Sequence, residues 1–454
     1  MARGIRLPVL IAAVLALAAT AIPASAGHSG DPKTNNVHPL GHIEEPASLL
    51  NPDVGNPDIH TDIAFWGRHA FQGTWLGFNI RDISSPGNPT QVSFTSCAGN
   101  QGDVVVWDDV LVRSWNSPTG SGGSTCDGQT VNPGFEGLHI FDISDLSDPV
   151  LVADVNLSAA GDADAFGCGS HTATGVPDLA NDRLLIYNGS SDAGCPWIDI
   201  VEIPLSSPSA PTVLAQIGAG RQCHDIGVIL GDANLAGCAG GDGLSVLSLD
   251  PTDGGSLTAP VLLHSTSVPG VSIGHSAAFS WDGETLIFGH EPGGGVQANC
   301  QASNPPSDKS FFFFEARTGV LQGTWTLPRD QSANENCSLH NLNVVPLQPK
   351  KGADRDVLVH GSYQSGTSVV DFSDRTAATE LGYSDPDPLP IPPGGGTCTA
   401  GCELGGAWSS YWYNGFIYET NITEGLNVFR FSGSETAGAL KVGHLNPQTQ
   451  EFTL

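Results

Sequence analysis

The 454-residue chain has 17 basic and 47 acidic residues, a formal charge of −30. So acidic a surface repels phosphate backbones and anionic lipid headgroups, which excludes a nucleic-acid partner. Ten cysteines, 57 glycines and 32 prolines without any helical period point to a turn-rich, disulfide-stabilised chain of exported type.

In chain order, Met1 to Ala26 reads as a secretory signal. Arg3 and Arg6 precede an apolar core from Leu7 to Ala21, and Ala24-Ser25-Ala26 supplies the small residues of a cleavage site. The core is too short for a stable membrane span, and no later stretch is long or apolar enough to be one. Cleavage after Ala26 leaves 15 basic against 47 acidic residues, a charge of −32, on a secreted protein. Residues 27–58 are polar, with His28, His38 and His42. They read as an N-terminal arm whose Val37–Ile43 part can add to a sheet edge.

Residues 59–454 repeat one unit. Its clearest copy is the alternating run Gly137–Ser144, a polar turn closed by Pro149, and a second alternating run Val150–Val155. Alternation puts every other side chain on one face, so both runs are predicted strands of a hairpin. Seven third strands follow from this pattern: Gly77–Ser84, Gly137–Ser144, Trp197–Pro204, Gly243–Asp250, Ser310–Glu315, Thr367–Ser373 and Gly425–Ser432. Fourth strands are expected at Gln91–Phe94, Val150–Val155, Thr212–Ile217, Val261–His264 and Gly323–Leu327, with Leu440–Leu445 for the last copy. Two further runs precede each third strand, as in His275–Ser280 and Thr285–Gly289 around the turn Trp281-Asp282-Gly283. Four antiparallel strands in each of seven units predict an all-β chain, a single seven-bladed β-propeller. An open solenoid and a pair of sandwiches are the alternatives.

The pattern Gly-Leu-x-Ile-x-Asp-Ile-Ser-x-x-x-x-Pro at Gly137–Pro149, looser at Gly77–Pro89 and partial at Val369–Ser373, resembles the LVIVD-repeat family of exported propeller proteins. The resemblance implies the fold and says little about activity, because propellers host many unrelated functions.

Cysteine placement suggests the pairs Cys97–Cys126, Cys168–Cys195, Cys223–Cys238, Cys300–Cys337 and Cys398–Cys402, although connectivity is not decided by sequence. Aligning the copies on their first strands places His60, His171, His224, His275 and His340 at one level, with Gln101 and Ala407 in the two remaining copies. First strands surround a propeller's axis, so five imidazoles near one mouth of the channel are candidate ligands for a divalent metal such as zinc, copper or iron. His290, Glu291 and His360, with His69, are secondary candidates at the same end, and Glu291 is the candidate for orienting a ligand or acting as a general base.

A purely structural role competes with this one. A histidine repeated in each blade can tie blades together, yet the residue after it varies among Thr61, Thr172, Asp225, Ser276 and Asn341. The sequence therefore supports a secreted, monomeric propeller acting as a binding or scaffold module for a protein, cell-wall or small-molecule partner. The alternative is a metal-dependent oxidoreductase or hydrolase. Asn188-Gly-Ser and Asn421-Ile-Thr fit glycosylation acceptors, and Trp408, Tyr411, Trp412 and Tyr413 are expected to pack between blades seven and one.

Overall fold

The computed structural model describes residues 30–44, 58–158, 168–190, 194–348, 355–389 and 404–454. The signal-like Met1–Ala26 stretch and the Cys398–Cys402 pair lie outside them. Seven sheets, each with four antiparallel blade strands, form a seven-bladed propeller, and two of them gain a fifth strand from the C-terminal tail. The innermost strands, in order, are His60–Trp66, Val104–Trp107, Ala173–Asp178, Asp225–Ile229, Gly274–Phe279, Leu342–Val344 and Ala407–Tyr413. Each contacts the next, and the seventh contacts the first, so the ring is closed.

Burial follows position within the blade. Second and third strands such as Leu235–Gly240 and Gly243–Ser248 are buried along their whole length, because neighbouring blades cover both faces. The outer strand Thr212–Gly218 instead alternates exposed and half-buried residues. The fold's repeat has its own local chemistry. Asp82, Asp142 and Asp371 each accept a hydrogen bond from the backbone N–H two residues on (Ser84 2.7 Å, Ser144 2.9 Å, Ser373 2.9 Å). The Asp-x-Ser end of the repeat is thus a side-chain-capped turn that starts the hairpin to the outer strand.

The two chain ends both differ from the repeat. Val37–Ile43 pairs antiparallel with Gly425–Phe431 and is the fourth strand of blade 7. Leu440–Leu445, expected there, is not. Its His444–Leu445 part pairs with Phe65 and Trp66 of blade 1, and Thr449–Gln450 pairs parallel with Val228–Ile229 of blade 4. The C-terminal tail therefore crosses the axis at the end where the innermost strands finish. A polar segment crosses there because its side chains replace water at buried backbone groups. Asn446 accepts from Val106 N–H (2.8 Å) and donates to its carbonyl (2.9 Å). Gln448 donates to Asp62 (2.6 Å), Thr449 to the Gly175 carbonyl (2.7 Å), and Gln450 accepts from Phe279 N–H (3.1 Å).

Four cysteine pairs are bonded as the spacing suggested: Cys97–Cys126, Cys168–Cys195, Cys223–Cys238 and Cys300–Cys337. Neither glycosylation pattern is at the surface. Asn188 and Asn421 are buried, and Asn188 bonds Ser170 and the Gly169 carbonyl.

Candidate metal centre

Four of the five aligned histidines come together. His171, His224, His275 and His340 start the innermost strands of four consecutive blades, and their rings form a continuous arc. Centroid distances are 4.1 Å, 4.4 Å and 4.1 Å in that order. Three of the four follow closely on a bonded cysteine (Cys168, Cys223 and Cys337), so disulfides pin the segments that deliver them.

The residue after the histidine ties the blades. Thr61 donates to the Gly102 carbonyl of blade 2 (2.7 Å), Thr172 to the His224 carbonyl of blade 4 (2.6 Å), and Ser276 to the His340 carbonyl of blade 6 (3.1 Å). Asn341 bonds Ser409 of blade 7 at 3.2 Å. The small polar residue thus supplies the inter-blade bond, in two cases fixing the backbone of the next histidine. The imidazoles are left for the axis.

Glu291, at the end of the second strand of blade 5, faces this arc. Its carboxylate oxygens lie 3.7 Å from His275 Nε2 and 3.6 Å from His340 Nε2, and atoms of His224, His275 and Glu291 all lie within 4.8 Å of one another. The Tyr363 hydroxyl donates to Glu291 Oε1. Tyr363 holds a left-handed backbone, φ 51°, an uncommon conformation for an aromatic residue that places its ring 4.6 Å from that of His340.

The second ring nitrogens settle protonation. His340 Nδ1 faces the Trp408 carbonyl, which can only accept, so Nδ1 carries the hydrogen and Nε2 presents a lone pair. His171 Nδ1 pairs with Asn116 Oδ1 at 3.1 Å in the same sense. Burial holds all four imidazoles neutral, His171 lowered to about 4 and His340 to about 3, with His224 and His275 also far below their ordinary value. Burial pushes the Glu291 carboxyl up to about 7, partly offset by the Tyr363 hydrogen bond. Neutral imidazoles around a carboxylate, two of them (His171 and His340) with the far nitrogen held by a partner, suit a divalent cation. The adjoining cavity, lined by His171, His275, His340 and Asp103 among others, measures about 20 Å³, room for roughly one water.

The other candidates lie elsewhere. His60 is fully buried, and the charges that depress it, after burial itself, are those of Arg81 and His42. His290 accepts from Ser272 N–H at Nε2 (3.1 Å) and bonds the Ser307 carbonyl at Nδ1 (2.9 Å), which satisfies both nitrogens. His360 bonds Ser362 (2.9 Å) and packs on Phe311 and Trp325. His69 begins a second strand opposite Trp66, at the tail end of blade 1. A second grouping, Cys97, Cys126 and His139, is no thiolate site because the two sulfurs are bonded to each other. Sequence reasoning missed Tyr363, Asn116 and the Trp408 carbonyl, since none sits at an aligned position. Trp408, Tyr411, Trp412 and Tyr413 are buried, with Tyr413 stacked on Phe65 of blade 1 at 4.6 Å.

The LVIVD repeat model matches residues 134–157, the third and fourth strands of blade 2. No protein of curated function matches the chain. Among solved structures, the computationally designed Ika8 protein is similar at 12% identity and TM-score 0.45, covering 87% of this chain and 99% of that one. A chain of the mitotic checkpoint complex is similar at 12% identity and TM-score 0.47, covering 95% and 98%. A Lactobacillus plantarum protein is similar at 11% identity and TM-score 0.44, covering 72% and 83%. At these scores none carries an argument about function.

Proposed function

We propose, for a chain that fits an LVIVD-repeat propeller family, that it is an exported binding module holding one divalent metal at the histidine end of its axial channel. The observation that supports this most is the meeting of the His275 and His340 Nε2 atoms with the Glu291 carboxylate at 3.7 and 3.6 Å, where His340 presents a lone pair. Acceptors facing acceptors in a buried site repel unless a proton or a cation lies between them. His171, His224, His275 and His340 would supply imidazole ligands, Glu291 would complete or orient the set, and imidazole donors suit zinc, copper or iron. Export rests on the Met1–Ala26 pattern and the four disulfides, which persist in oxidising compartments. No helix among the described residues is long and apolar enough to cross a membrane.

A metal-dependent enzyme is the second reading, favoured by a buried carboxyl held near neutral pH beside the site, as a general base needs. Elemental analysis of protein purified without a histidine tag tests the first reading. About one equivalent of metal per chain is expected, lost in the His275→Ala, His340→Ala double variant. Metal-free protein that takes up neither zinc, copper nor iron(II) on titration overturns both readings. The enzyme reading further requires turnover of chromogenic ester or phosphoester substrates, or oxidation of a phenolic substrate by dioxygen, that Glu291→Gln abolishes while metal is retained.

A further inference from the structure

The roomier cavity is at the opposite end of the molecule. The C-terminal tail, the hairpin turn of blade 5 and the innermost strands of blades 6 and 7 enclose about 250 Å³, walled by Trp281, Trp412, Val344, Val442, Leu445 and Phe452. Its size argues for more than a single ring, since an apolar cavity of about 150 Å³ already binds benzene. Phe452, 36% exposed, lies at 5.0 Å from the Trp281 ring, so flat aromatic faces line the entry.

Most polar groups of the wall are committed to one another. Asn343 exchanges two hydrogen bonds with the Trp412 backbone (2.9 and 2.8 Å), Asn414 two with that of Val442 (2.9 and 2.8 Å), and the Trp281 indole donates to the Val344 carbonyl at 2.9 Å. His444 pairs with Glu451. Two donors remain. Lys441 is exposed and has no ion pair among the described residues, and the buried indole N–H of Trp412 has no acceptor. Lys441, on the accessible rim, calls for negative charge, whereas the indole N–H is sealed from the cavity.

We propose that this cavity is a separate ligand site for a small aromatic carboxylate of about two fused rings, its ring between the tail and the indoles and its carboxylate at Lys441. The site is independent of the metal centre and stands or falls without it.

Titration calorimetry on the full secreted chain, with indole-3-carboxylate and indole as probes, tests the assignment. Saturable binding of indole-3-carboxylate is expected. Val442→Phe should abolish it by filling the space, with circular dichroism and melting temperature showing that the variant folds. Leu440→Trp fills the same space if Val442→Phe does not fold. Lys441→Met should weaken indole-3-carboxylate about 2–5-fold, the range of an exposed ion pair, and leave indole unchanged. No saturable binding to the parent, or binding that survives both filled variants, overturns the site. Equal affinity for the two probes, unaffected by Lys441→Met, overturns the carboxylate.

Discussion

The two ends of the axial channel are built from the same seven strands and meet opposite fates. At the end where the strands finish, the tail supplies a side-chain partner to blades 1, 2, 3 and 5: Gln448 to Asp62, Asn446 to Val106, Thr449 to Gly175 and Gln450 to Phe279. At the end where they begin, neutral imidazoles and a carboxylate face each other, and the Nδ1 atoms of His224 and His275 have no partner. Folding tends to satisfy buried polar groups, so an end left open marks where something other than the chain belongs. The contrast separates structure from function better than residue type does. His290 is as buried as His275, yet both of its nitrogens bond neighbouring loops.

The largest expected effect comes from breaking the satisfied end. Truncation after Gly443 would strand four buried polar groups at about 1–3 kcal/mol each. That sum approaches the whole stability of a typical domain, about 5–15 kcal/mol. Thermal unfolding should show collapse of the melting temperature, and a truncated chain as stable as the parent would remove the tail's role as a clasp.

Emptying the other end should cost less. Chelation of metal-loaded protein should lower stability by about 3 kcal/mol at a free metal concentration near 100 times the dissociation constant. The His275→Ala, His340→Ala variant should show no response to chelator in the same denaturation experiment.

Smaller still is the inter-blade tie. Thr172→Val removes the bond to the His224 carbonyl and should cost about 1 kcal/mol in urea unfolding, with metal retained. Loss of metal without loss of stability would reverse the division of labour between the histidine and the residue after it.

The smallest effect concerns pH. His139 is buried against Trp115 and Phe135, and burial followed by Arg113 lowers it to about 3. A folded value below the unfolded 6.5 means that its contribution is complete above pH 6.5 and is lost as pH falls toward 3. His139→Phe should therefore leave the melting temperature near neutral pH little changed and flatten its decline in acid. A decline as steep as the parent's would place the acid sensitivity in other groups.

Much of this was legible in the chain. The seven third strands begin where alternation placed them, because a face that must be buried enforces a period of two. The four bonded cysteine pairs follow the repeat's spacing, alignment on first strands picked out the arc's four imidazoles, and the return of the second strand to the same level picked out Glu291. His60 failed the same alignment test. Its position is equivalent but its surroundings are Arg81 and His42, the latter on an arm strand that no other blade possesses. Tyr363 was illegible because its contact with Glu291 joins residues 72 apart through a turn with no counterpart in the repeat.

Local pattern alone determined the strands, the number of blades and the level at which the histidines stand, since periodicity and turn chemistry act over a few residues. Tertiary structure alone decided that the N-terminal strand completes the last blade and that the tail seals one end of the axis. It also decided which imidazoles turn inward. Those outcomes depend on which blade becomes whose neighbour when the ring closes, and that is a long-range relation no short window of sequence contains.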